Sequence, residues 1–151
     1  MEPYLKAFLL SVYNQEPPIF FPKKDKLNDL LHLLLRKQPI KHLPKGPACD
    51  YLEIIIPYFE DLNIMSYNYL SPEAQRIFCR RVNMIFWATF EDFMDECFRQ
   101  DMRRNDSVYL FIEKYNLPED SKIVDRLRKE LYRFKGIFRK YPKRAYCKKK
   151  L

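Results

Sequence analysis

The spacing of apolar residues along the chain predicts helices in most segments and a strand in one or two. Residues 25–38, DKLNDLLHLLLRKQ, place Leu27, Leu30, Leu31 and Leu34 at helical intervals, with Asp25 early and Arg36 and Lys37 late. That charge order suits the helix dipole. Pro39 is expected to stop this helix. Earlier, YLKAFLLSVY predicts a short helix that ends before Pro17-Pro18. The run YLEIIIPYF, with Ile54, Ile55 and Ile56 in succession, is β-branched and reads as a strand ending at Pro57. The IFF segment at residues 19–21 is its candidate partner.

The strongest helical signal is LSPEAQRIFCRRVNMIFWATFEDFMDECFRQ. Ser71 is a good N-cap, Pro72 suits the first helical position, and Glu73 sits in the first turn. Residues 82–90 carry no charge and cover most directions of a helical wheel, which predicts burial nearly all round. Phe86, Trp87, Phe90 and Phe93 read as core, with an aromatic box for a cofactor or nucleobase as the sharper alternative. Glu91, Asp92, Asp95 and Glu96 have no histidines nearby and read as a solvated face.

Two further helices follow, 107–115 and about 121–141, joined by NLPED. Asn116 tolerates the left-handed conformation that ends a helix, Leu117 can fold back on Ile112, and Pro118 prevents continuation. Glu119 and Asp120 place negative charge where the next helix opens. This is the layout of a helix-turn-helix, without the glycine often found in its turn. On a wheel, Ile123, Val124, Leu127, Leu131, Phe134, Ile137 and Phe138 share one arc of roughly 140°. Lys122, Arg126, Arg128, Lys129, Arg133, Lys135, Arg139 and Lys140 take the opposite arc, with Tyr132 near its middle beside Gly136. Glycine is unfavourable inside a helix, so Gly136 marks either a close approach by a partner or a tolerated surface position.

Composition narrows the class. The 151 residues are 47% hydrophobic and 16% aromatic, enough to build a core and too apolar for a disordered chain. Only Gly46 and Gly136 are glycine, against 11 prolines, which favours helices joined by Pro-marked loops such as IKHLPKGPACD. Neither GxGxxG nor GxxxxGK[ST] can be written with two glycines so placed. Cys49, Cys79, Cys97 and Cys147 lack CxxC spacing and read mainly as small buried hydrophobes; His32, inside the leucine-rich helix, reads as a satisfied structural histidine. No metal site, cofactor or enzyme is expected, because no nucleophile–base pair or ligand set converges. The N-terminus lacks the marks of a signal peptide and no apolar run reaches bilayer length, so the expected location is cytoplasmic, with no membrane partner.

Charge is segregated. Residues 106–151 hold 14 Lys+Arg against 6 Asp+Glu, an excess that accounts for the whole formal net charge of +8. The expectation is a mainly α single domain of four to five helices spanning residues 1–141, with a short strand or strand pair near 19–21 and 51–58. Residues 106–141 form its helix-turn-helix-like basic unit, and residues 142–151 a flexible basic tail. A helix packed on one side and cationic on the other has the chemistry of a major-groove reader. Arg126, Lys129 and Arg133 are the candidates for base edges, while Lys143 and Arg144 of the tail PKRAYCKKKL would add backbone or minor-groove contacts. The competing reading is an interaction module, an inhibitor or assembly factor, that docks the same helix on an acidic protein.

The segments YLEIIIPYFEDLN, YLSPEAQRIF, VYLFIEKYNL and LRKELYRFKGIFRK together resemble a group of small basic helical proteins carried on phages and mobile elements of gut bacteria. The likeness runs from about residue 19 to residue 141 in pattern rather than in a sharp motif. It implies a helical, DNA-associated accessory protein, with transcription regulation as one such role, and no catalytic residues.

Overall fold

The computed structural model describes residues 1–39 and 51–133 of the chain. In order, they form α1 (Pro3–Tyr13), β1 (Ile19–Phe20), α2 (Lys26–Leu34), β2 (Ile54–Ile55), α3 (Pro72–Arg99), α4 (Arg104–Lys114) and α5 (Ser121–Arg133). The fold is mainly helical with one small sheet, as the apolar spacing predicts.

α3 organises the rest. Ser71 caps it by accepting a hydrogen bond from the Ala74 N–H at 3.2 Å, and Pro72 opens the first turn. Its buried residues Ala74, Phe78, Val82, Phe86, Phe90 and Met94 recur every fourth position. Such a row is inclined to the helix axis, so over 28 residues it winds past several neighbours in turn. Near the start Phe78 meets Phe21 at 5.9 Å; in the middle Phe86 meets Tyr4 and Phe8 at 5.0 and 5.1 Å; further on Phe90 meets Phe111 at 5.0 Å. α1, α2 and α4 therefore share one helix as their common wall. These ring pairs are mostly edge-to-face, the geometry aromatic quadrupoles prefer.

The expectation that residues 82–90 are buried all round is corrected. Phe86 and Phe90 are fully buried, but Met84 is 56% exposed, Ala88 faces solvent, and Trp87 is only half-buried. α3 is walled on one broad side, and its other side is surface despite carrying no charge there. Trp87 and Phe93 pack against the core from its margin.

β1 and β2 pair in parallel, Ile19 opposite Ile54 and Phe20 opposite Ile55, so the IFF segment is the partner of the isoleucine run. The strand is shorter than the stretch 51–59 suggests. On the far edge of β1, the Gln15 side chain stands in for a third strand: the Phe20 N–H donates to its Oε1 at 2.7 Å, and its Nε2 donates to the Phe20 carbonyl at 3.2 Å. An amide side chain thereby satisfies backbone groups that an edge strand leaves open.

α2 also ends earlier than Pro39 requires. Leu35 is extended, and Arg36 exchanges backbone hydrogen bonds with Tyr69 at 2.9 and 3.2 Å. The Arg36 guanidinium folds back onto the Leu33 and Leu35 carbonyls at 2.8 and 2.9 Å, covering acceptors the helix end leaves unpaired. α4 begins three residues before the expected Ser107, which is buried inside it and donates its hydroxyl to the Arg103 carbonyl at 3.0 Å.

Helix ends show how so few glycines suffice. α1, α3 and α4 each finish with a left-handed residue, Asn14 (φ 49°), Asp101 (φ 60°) and Asn116 (φ 47°). After each, the next N–H returns to a carbonyl five residues back: Gln15 to Leu10 at 3.1 Å, Met102 to Cys97 at 3.0 Å and Leu117 to Ile112 at 3.0 Å. This is the Schellman closure, with Asn or Asp in the place glycine usually fills. At the α4 end, Leu117 and Ile112 are both buried, as the turn chemistry predicts.

Candidate nucleic-acid interface

α5 is amphipathic by construction. Ile123, Leu127 and Leu131 are buried, and Val124 is packed against the core. Asp120 opens the helix by accepting from the Lys122 N–H at 3.2 Å. α5 packs on α4 across the Asn116–Leu117 turn, giving the pair its helix-turn-helix order.

The cations divide into two groups. Lys122 and Lys129, two turns apart, face outward, exposed and without an ionic partner among the described residues; Tyr132 is 58% exposed near them. Arg133 is also outward and pairs with Glu130, while Asp125 sits exposed on the same face. Arg126 and Arg128 instead occupy the two rims, where α5 meets the body. Arg128 stacks over Tyr109 at 5.6 Å and donates to its hydroxyl at 3.2 Å. Its Nε is buried with no hydrogen-bond partner. Arg126 donates to Glu2 at 2.9 Å and lies over the rings of Tyr4 at 5.2 Å and Trp87 at 5.6 Å. Arg126 therefore lies at the rim rather than mid-face beside Lys129. Lys135, Gly136, Arg139, Lys140, Lys143 and Arg144 lie outside the described residues.

The charge can now be located more narrowly than the last third of the chain. Residues 106–133 hold 6 Lys+Arg and 6 Asp+Glu, while residues 134–151 hold 8 Lys+Arg and no acid. The formal excess of +8 thus belongs to residues 134–151, outside the described residues. Within α5 the carboxylates of Glu2 and Glu130 offset Arg126 and Arg133, and Arg128 is drawn onto Tyr109, which leaves Lys122 and Lys129 as the open cations.

Three titratable groups are displaced. Burial pushes the Tyr4 phenol up to about 12, with Arg126 opposing and Glu2 reinforcing the rise. Tyr13 is held well above the usual phenol range by burial and by its hydrogen bond to Asp25 at 2.7 Å. Partial burial, then Asp92 and Asp95, raise Glu91 in the acidic stretch of α3. Among the described residues, no group of three or more His, Cys, Asp or Glu is arranged to hold a metal ion. Cys79 is half-buried and Cys97 buried, both as free thiols. His32 binds Asp61 at 2.9 Å and stacks on Phe59 at 4.5 Å, a structural role that secures the loop after β2. No helix among the described residues is long and apolar enough to cross a membrane.

Sequence reasoning missed Glu2, Tyr4, Asn83 and Trp87 as the setting of a basic-face arginine. Nothing local marks them, because the Glu2 to Arg126 contact spans 124 positions. Comparison of the chain with protein-family models, with curated proteins and with solved structures finds no match.

Proposed function

We propose that the protein binds nucleic acid, duplex DNA above all, through the outward face of α5 and the cationic segment 134–151, as an accessory or regulatory factor. One observation carries this reading. The apolar side of α5 is consumed by the core, and its open lysines lead directly into eight cations with no acid among them. Phosphate contacts of this kind release condensed counterions and supply affinity without requiring base contacts. α5, as the second helix of the pair, is the element a helix-turn-helix presents to the major groove. Lys129 and Arg133 are its candidates for base edges. Lys122 and the cations Lys135, Arg139, Lys140, Lys143 and Arg144 supply the phosphate contacts.

The test is fluorescence anisotropy with a labelled duplex, a single strand of the same sequence and an acidic peptide, at low salt. Tighter binding of the duplex supports the reading. Binding of the acidic peptide alone assigns the face to an acidic protein partner instead.

A further inference from the structure

An open cavity lies not on the outward face of α5 but behind its rim, where α1, α3 and α5 meet. It measures about 670 Å³, and Arg80, Asn83 and Arg126 line it together with Glu2. From these residues we infer a phosphate site: Arg80, Arg126 and the Asn83 amide take one phosphoryl group, and Glu2 holds its place in the free protein.

Every donor there is suited to an oxyanion. Arg126 is already oriented by the rings of Tyr4 and Trp87, so little side-chain freedom remains to be lost when its partner changes. Asn83 accepts the Tyr4 hydroxyl on its Oδ1 at 3.2 Å, which fixes the amide and leaves its N–H₂ to donate elsewhere. Arg80, one turn before Asn83 on α3, is exposed and has no carboxylate partner among the described residues. Glu2 is the sole carboxylate lining the cavity. Its bond to Arg126 joins side chains 58% and 43% exposed, where water screens the pair and makes it replaceable. A backbone phosphodiester matches the carboxylate in charge and offers two oxygens that can bridge Arg126 and Arg80, while free phosphate brings more charge and further acceptor oxygens. The cavity borders Lys122 through a smaller hollow that Glu2 and Arg126 also line, so a backbone crossing α5 passes beside it.

This inference rests on the nucleic-acid reading only for the source of the phosphate, which is either a duplex backbone or a free phosphate. Trp87 is the only tryptophan of the chain and lies under Arg126, so its emission reports the exchange. Wild type, Arg80→Ala and Glu2→Gln, each checked for an unchanged circular dichroism spectrum, are titrated with duplex and separately with inorganic phosphate. Duplex binding is expected to weaken about fivefold in Arg80→Ala, with a salt slope shallower by about one, and to tighten about threefold in Glu2→Gln. If both variants bind duplex like wild type while Lys129→Glu binds it poorly, the duplex does not use the cavity, the α5 reading stands alone, and the phosphate arm decides the site. If wild type binds no duplex, the phosphate arm decides. A saturating, Arg80-dependent change in Trp87 emission keeps the site with free phosphate as its occupant, and no such change overturns it.

Discussion

Arg126 and Glu2 stand 124 positions apart in the chain and 2.9 Å apart in space. Their contact, together with the Tyr4 and Trp87 rings beneath the guanidinium, seats the last described helix on the first. The ion pair itself is exposed and contributes little, whereas the stacked guanidinium and its covered stem contribute more. Arg126→Ala is therefore expected to destabilise the protein by about 1–2 kcal/mol. Glu2→Gln is expected to cost less than about 0.5 kcal/mol. Urea denaturation of the two variants checks the order; an equal loss from both would place the energy in the ion pair.

The left-handed end of α4 gives a sharper stability test. Asn116→Gly removes a Cβ from a position with φ of 47° and is expected to leave stability unchanged or raise it slightly. Asn116→Val puts a β-branched side chain into the same conformation and is expected to cost about 1–2 kcal/mol. The midpoint of chemical denaturation should therefore fall for valine and not for glycine.

Asp25 performs two tasks at once. One oxygen caps α2 by accepting from the Leu27 N–H at 2.7 Å, and the other accepts the Tyr13 hydroxyl at 2.7 Å. Asp25→Ala loses the cap and strands a half-buried hydroxyl, for an expected cost of about 2 kcal/mol. Tyr13→Phe removes the donor with it, so in a double-mutant cycle the two changes together should cost less than the sum of each alone.

Alkaline pH should weaken the fold through the same phenols. Tyr4 and Tyr13 hold their protons more tightly folded than unfolded, since burial raises both. Above the ordinary phenol value of about 10 the unfolded chain binds fewer protons than the folded one, so stability falls as pH rises. Their contribution is intact below pH of about 10 and is lost as pH climbs toward the Tyr4 value of about 12. Measured against pH, the stability advantage of wild type over Tyr4→Phe should shrink in that window and hold steady between pH about 7 and 9.

Much of the architecture was legible because the signals are local. Ser71-Pro72 starts α3, Asn116-Leu117 turns α4 into α5, and the apolar positions of residues 123–131 face the core. In the sequence, residues 19–21 are only a candidate partner for the isoleucine run, and the register, Ile19 opposite Ile54, comes from the structure. What local pattern does not encode is which side of an uncharged helix is covered. Met84 is at the surface because three helices wall only the opposite side of α3. Nor does a helical wheel separate Arg126 from Lys129. One sits at a rim that α1 and α3 happen to border, and the other at the centre of the open face. The candidate interface was thus visible as a basic side, while its division into tied arginines and open lysines depends on contacts between distant parts of the chain.

The most direct test of the central claim is duplex affinity as a function of salt for the full chain, in wild type and in Lys122→Glu/Lys129→Glu. Both lysines are exposed and have no ionic partner among the described residues, so the double variant should fold normally. Wild type is expected to give a log–log salt slope of about −4 to −7, corresponding to roughly five to eight phosphates. The variant should bind at least about tenfold more weakly, with a slope shallower by about two. Absence of wild-type binding at low salt, or equal affinity in the variant, would contradict the assignment of α5 as a nucleic-acid surface.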